Sequence, residues 1–208
     1  MTIGTITIGE QTGYNPNLPL FADKLEFAGD GEYPDDGTTG IEASVASALG
    51  KSGINLIACI KCGGSPTYRP EIVMTPGSLS DTTTYPCDDQ DGLTFKFKVD
   101  GGSEQTVTIS GATTTATAIA SAINSGLTGA SSFVVDSQVY VRSDSHGPNS
   151  SIEYTGGTNG CTFATGVNSG TTAKKLRMLK TADGADAQSG AGTTDLSGHK
   201  VEAVFLYQ

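Results

Sequence analysis

The stretch "GLTFKFKVDGGSEQTVTISG", residues 92–111, permits very little local freedom. Leu93, Phe95, Phe97 and Val99 alternate with Thr94, Lys96, Lys98 and Asp100, and Val107 and Ile109 alternate with Thr after an Asp-Gly-Gly turn. Side chains in a strand alternate between faces, so this pattern places every large apolar group on one side of a hairpin, whereas a helix would scatter them. The turn chemistry agrees, because Gly at 101 and 102 supplies the backbone conformations that tight hairpin turns demand. A hairpin with one buried face needs something to cover it. The next segment, "TTTATAIASAINSG" (113–126), offers Ala116, Ile119, Ala120 and Ile123 at i, i+3, i+4 and i+7, with Thr as N-cap and Gly126 as C-cap. Then "SSFVVDSQVYVRSDSHGPNSSIEYTGG" (131–157) reads as a second hairpin through Asp136 to Gln138, a Gly147-Pro148 turn and a further strand at Ser151 to Tyr154. This segment is predicted to be a self-contained ββαβββ unit.

On its N-terminal side, "YRPEIVM" (68–74) begins a strand that dissolves into "TPGSLSDTTTYPC" (75–87), and apolar rhythm returns in "KKLRMLK" (174–180). If the second stretch resumes the first, residues 76–172 form a domain inserted at a hairpin tip, where insertions are tolerated best. Residues 1–75 and 173–208 then make one discontinuous domain. Its expected pieces are a terminal arm "MTIGTITIG", an extended or looped passage at "EQTGYNPNLPL", a brief strand through Leu25 and Phe27, and a long loop from Gly29 to Gly40. They continue with a helix in "GIEASVASALG" capped by Gly50, a strand "INLIACIKC", a Gly63-Gly64 turn, and a closing strand "HKVEAVFLYQ". With 28 Gly and only 16% charged residues, the balance favours β-structure over helical bundles. The expected class is mainly β: a sandwich or barrel-like outer domain with one short helix, plus a small inserted α+β domain.

The net charge of −10 argues against binding a phosphate backbone, which requires clustered Lys and Arg. No stretch approaches the ~20 apolar residues of a membrane span, and the first residues lack a basic region followed by an apolar one, so a soluble chain without membrane contact or export signal is expected. Cys59 and Cys62 form one CxxC with no second ligand pair, and read as small buried hydrophobes rather than a zinc site. Cys87 and Cys161 can pair if the fold brings them together, although reduced thiols are the default without export.

Catalysis would draw on His146 or His199. His146 lies in "SDSHGPN" beside Ser143, Asp144 and Ser145, but sequence adjacency is not triad geometry, and a solvated turn is the expectation. His199, at the start of the last strand, is expected at the surface or against a neighbouring subunit. Asp30, Glu32, Asp35 and Asp36 in "GDGEYPDDG" offer hard oxygen ligands of the kind Ca²⁺ takes, without the spacing of an EF-hand, and read as a solvated acidic turn. "GTTGIEAS" lacks the Gly-Lys-Ser/Thr ending of a phosphate-cradling loop. No catalytic residue, metal or cofactor is therefore expected.

Two parts of the chain resemble known families. Tyr33-Pro34, Gly37, Leu49-Gly50, Lys175-Leu176 and Asp195 to Gly198, with "YRPEIV" and the closing "VEAVFLYQ", resemble the pattern of small structural proteins of tailed bacteriophages, particularly capsid decoration (cement) proteins. The insert, through "TFKFKVDGG", "TVTISGATTTATAIASAINSG" and "VYVRSDSHGPNSSIEY", is similar to the hook IN motif of flagellar filament proteins and phage virion proteins. "PDDG" departs from the Thr-Gly-Gly type of turn usual in the outer pattern. The resemblance implies a non-enzymatic virion protein assembled in the host cytoplasm, bound to the major capsid protein on the outer capsid surface as a homotrimer, with the insert projecting outward. Expected contacts with capsid or subunit are Ile3, Ile6 and Ile8, through strand addition to a neighbour's edge, and the loop with Tyr33, Pro34, Asp35 and Asp36. The alternative is a tail, neck or fibre module that binds host-surface glycans, with Tyr140 and Tyr154 stacking on sugar. A flagellar or surface-layer role would explain only the insert.

Overall fold

The computed structural model describes residues 7–12, 21–28, 33, 41–51, 54–64, 67–184, 187 and 194–207. In chain order the elements begin with β1 (Thr7–Thr12), β2 (Phe21–Ala28), α1 (Ile41–Ala48), β3 (Leu56–Gly64) and β4 (Tyr68–Thr75). Next come β5 (Ser78–Ser80), β6 (Thr94–Val99), β7 (Gln105–Thr108), α2 (Ala116–Gly126), β8 (Ala130–Val135), β9 (Gln138–Ser143), β10 (Ser151–Gly157) and β11 (Gly166–Ser169). β12 (Thr171–Lys180) and β13 (Lys200–Tyr207) complete the order. The fold is mainly β, and neither described helix is long and apolar enough to cross a membrane.

The chain divides into two compact units. Unit 1 comprises Met1–Val73, Lys174–Gln188 and Thr194–Gln208, and unit 2 contains Met74–Ala173. The boundary falls within β4 and β12, which pair with each other, so the chain leaves unit 1 and returns to it through one strand pair. Thr75 Oγ1 donates to the Ala173 carbonyl at 2.8 Å beside this passage. Pro70, which has no N–H to give a second neighbour, fits β4 because this strand has β12 alone beside it among the described residues.

Unit 1 is built on an antiparallel sheet of order β1-β2-β13-β3. The alternation of "KVEAVFLY" sets its burial: Val201, Ala203, Phe205 and Tyr207 point into the core with Leu25, Val45, Leu176, Met178 and Leu196. On the other face, Lys24, Glu26, Lys200 and Glu202 form an ion-paired group, with Lys200 Nζ 2.7 Å from Glu26 and Lys24 Nζ 3.2 Å from Glu202. Helix α1 ends in a Schellman motif: Lys51 N–H donates to the Ala46 carbonyl and Gly50 N–H to that of Ser47. One local expectation is corrected: Gly63 and Gly64 are strand residues opposite Glu202 and Val201 rather than a turn. The start of the passage read as extended or looped, Glu10 to Thr12, is extended and belongs to β1. Partner strands supply hydrogen bonds that local sequence does not announce.

Unit 2 contains two sheets, of order β11-β10-β6-β7 and β5-β9-β8. Phe95, Phe97 and Val99 point inward from β6, and Ala116, Ile119, Ala120 and Ile123 form the buried stripe of α2, whose N-cap Thr115 accepts from Ala118 N–H. Gly126 is the last helical residue, with Leu127 as cap; a Cβ on Gly126 would lie 3.0 Å from Val107 Cγ1, so this glycine serves close approach. The edge of β8 is covered by α2: Asn124 donates to Ser132 O and accepts from Ser132 N–H, each at 2.6 Å, as a neighbouring strand would. The predicted ββαβββ pattern gains two strands. β5 lies in the polar stretch into which the pattern of residues 68–74 dissolves and β11 in Gly-Val-Asn-Ser; they are only three and four residues long and are held by β9 and β10.

Candidate functional site

Of the expected contact residues, Ile3, Ile6, Pro34, Asp35 and Asp36 lie outside the described residues, as do Asp30 and Glu32 of the calcium candidate. Ile8 lies in β1 opposite Leu25, and β1 stands at a sheet edge, so one side of this strand is already used by β2 within the chain. Tyr33 is corrected from a contact residue to a core residue. It is 2% exposed, its backbone bridges Thr194, and its hydroxyl accepts from Met178 N–H at 3.1 Å. A tyrosine held in this way ties segments of unit 1 together and presents no ring to a partner. β3 forms the other edge of this sheet and carries Ile57, 43% exposed, at a register irregularity.

Tyr140 and Tyr154, the glycan candidates, lie on β9 and β10 of different sheets. Tyr140 stacks on Phe133 with centroids 5.7 Å apart, while Tyr154 joins the Phe97 and Phe163 cluster at 5.4 and 5.3 Å and accepts a hydrogen bond from Asn159. His199 stands edge-on to Tyr68 at 4.8 Å. The neighbours of His146 are engaged elsewhere: Ser143 Oγ donates to Asp100, and Asp144 accepts from Ser131 Oγ. Among the described residues no group of three or more His, Cys, Asp and Glu side chains is arranged to hold a metal ion.

A cluster with no sequence signal lies in unit 2. Asp81, fully buried, accepts from Val139 N–H at 2.8 Å and from the Tyr85 hydroxyl at 2.5 Å, and that hydroxyl is 3.7 Å from Cys161 Sγ. Burial raises the Asp81 pKa against the lowering effect of these hydrogen bonds, and burial likewise raises those of Tyr85 and Cys161, the thiol to about 11. Asp100, at the β6 turn, behaves in the opposite way. Burial acts to raise its pKa, but bonds from Ser151 N–H, Ser143 and Ser145 outweigh it and lower the value. Ser150 is a third polar anchor. Its hydroxyl accepts from Gly77 N–H and donates to Gly147 O, while its carbonyl accepts from Gly170 N–H. Chemically, these groups fix the ends of short strands and turns; an elevated thiol pKa makes Cys161 a weak nucleophile at neutral pH.

A comparison with protein-family models finds no match, and neither does one with curated proteins. Among solved structures, the chain is similar to the flagellar cap protein FliD from Bdellovibrio bacteriovorus at TM-score 0.38 and 20% identity, over 72% of this chain and 95% of that one. A likeness of that degree carries no argument about function.

Proposed function

We propose that the chain is a non-enzymatic virion structural protein that binds the outer capsid surface of a tailed bacteriophage through unit 1 and displays unit 2. The observation that supports this reading is where the residues carrying the resemblance fall. Tyr33, Leu49-Gly50, Lys175-Leu176 and Asp195 to Gly198 all belong to unit 1, and they serve its frame. Tyr33 bridges Thr194, Leu49 and Gly50 end α1, Leu176 is in the core, and Asp195 closes a turn by accepting from Ser197 N–H. The matching pattern therefore traces one compact unit rather than scattered turns. Reinforcement would follow from bridging: each copy, as part of a homotrimer, buries surface against adjacent major capsid proteins and stabilises the assembled state by mass action. The outer edges of β1 and β3 are the candidate contacts, because among the described residues each has a partner strand on one side alone, and an open strand edge can accept a partner's backbone.

The test is to mix purified chain with capsids lacking it, sediment them, and count copies bound per capsid. Saturable binding at a stoichiometry matching threefold positions is expected, and should survive replacement of residues 76–172 by a two-residue turn. Absence of binding, or a few copies at a single vertex, overturns the shell-binding reading and points to a tail or neck component.

A further inference from the structure

Cys87 and Cys161 are far apart in sequence and pack on the same core cluster of unit 2. Cys161 is 6% exposed, and Cys87 is half-buried against the same cluster; both are reduced. The segments carrying them are tied together. Thr82 N–H donates to Thr162 O at 2.8 Å, Thr162 N–H to Thr83 Oγ1 at 2.9 Å, and Asp81 bridges Phe163. Tyr85, two residues before Cys87, places its hydroxyl 3.7 Å from Cys161 Sγ. The charge of Cys87 is also felt at Cys161, where it adds to the effect of burial in raising the thiol pKa.

We propose that Cys87 and Cys161 form a latent disulfide, closed when the folded chain meets a small disulfide oxidant such as glutathione disulfide. Cys87, the more accessible thiol, attacks as thiolate and displaces one glutathione thiolate, leaving a mixed disulfide. Cys161 then loses its proton to solvent and attacks Cys87 Sγ, displacing the second glutathione. Two protein thiols are oxidised to one cystine, and one glutathione disulfide is reduced to two glutathiones. The raised pKa of the buried thiol makes the second step the slow one, faster as pH rises. The bond would join the passage between β5 and β6 to the loop after β10, closing a long loop and so restricting the unfolded chain. This inference rests on unit 2 alone and stands apart from the capsid reading.

The test incubates the native full-length chain with glutathione disulfide, unfolds it, alkylates the remaining thiols and maps the peptides. A linked pair of peptides carrying Cys87 and Cys161, an intact mass lower by two hydrogens, no retained glutathione, and a melting temperature of unit 2 several degrees higher are expected. Cys161→Ser should instead trap glutathione on Cys87. If that variant does not fold, the wild-type map decides alone. Alkylated Cys161 beside an alkylated or glutathione-bearing Cys87, or a link from either residue to Cys59 or Cys62, overturns the proposal.

Discussion

In unit 1, Lys24, Glu26, Lys200 and Glu202 meet on the outer face of a sheet. In unit 2, Asp81, Gln90, Thr113, Ser132, Ser143 and Ser150 are buried, and apart from the hydroxyls of buried tyrosines such as Tyr33 and Tyr207 in unit 1 they are the buried polar side chains among the described residues. No buried side-chain nitrogen or oxygen in that set lacks a hydrogen-bond partner. The contrast separates two ways of specifying a fold. An apolar core of the right volume and pattern accepts many substitutions before it fails. A buried polar group admits few, because removing a partner leaves the other desolvated at a cost of about 1–3 kcal/mol. Unit 2 should therefore be the more uniquely determined structure, and the more easily disrupted by a single change.

The hardest test of that contrast is Gly170→Ala. A Cβ there would sit 2.3 Å from Thr75 O and 2.5 Å from Gly147 O, both backbone atoms that cannot swing aside. A loss of more than about 4 kcal/mol is expected, enough to remove the cooperative fold of unit 2. Hydrogen exchange should show amide protection lost across β5 to β11 and kept in β2 and β13. Simultaneous loss in both regions would show that they do not stand independently.

A middle-sized effect comes from protons. Asp81 has a raised pKa in the folded state, so its contribution is fully present below the unfolded value of about 3.9 and is lost as pH rises through the folded value. Asp100 has a lowered pKa, so its contribution is present above about 3.9 and is lost as pH falls through the folded value. Asp81→Asn, which can still accept from Val139 N–H, should flatten the decline of unit 2's denaturation midpoint above that pH and leave the acid-side decline in place. An unchanged profile would remove Asp81 as its source.

Smallest of all should be Lys200→Ala. Lys200 is 62% exposed, and exposed ion pairs are screened and costly in side-chain entropy. The melting temperature of unit 1 should move within the error of the measurement at moderate salt. A clear drop would mean that the outer-face group contributes to stability after all.

What was legible in the sequence follows the same division. Period-two burial in β6 and β13 and the stripe of α2 could be read directly, because each is a local pattern of apolar residues against polar ones. β5 and β11 could not, because Ser-Leu-Ser and Gly-Val-Asn-Ser have too few apolar residues to set a period and exist as strands through β9 and β10. Asp81, Ser150 and Gly170 were silent for a related reason: their roles depend on atoms far away in sequence, Val139 N–H and Gly77 N–H among them. Tyr33 misled because "EYPDDG" has a turn's composition, and nothing local signals that the ring reaches Met178.

The strand pair through which the chain leaves and re-enters unit 1 also bears on ancestry. Thr75 and Ala173 are joined by a hydrogen bond, so any segment whose two ends lie a strand's width apart could close the same passage. The entropy of closing such a segment grows only logarithmically with its length, so a long insertion is tolerated nearly as well as a short one. Recombination across β4 and β12 would therefore exchange whole modules at a stroke, and the two halves of this molecule need not share a history.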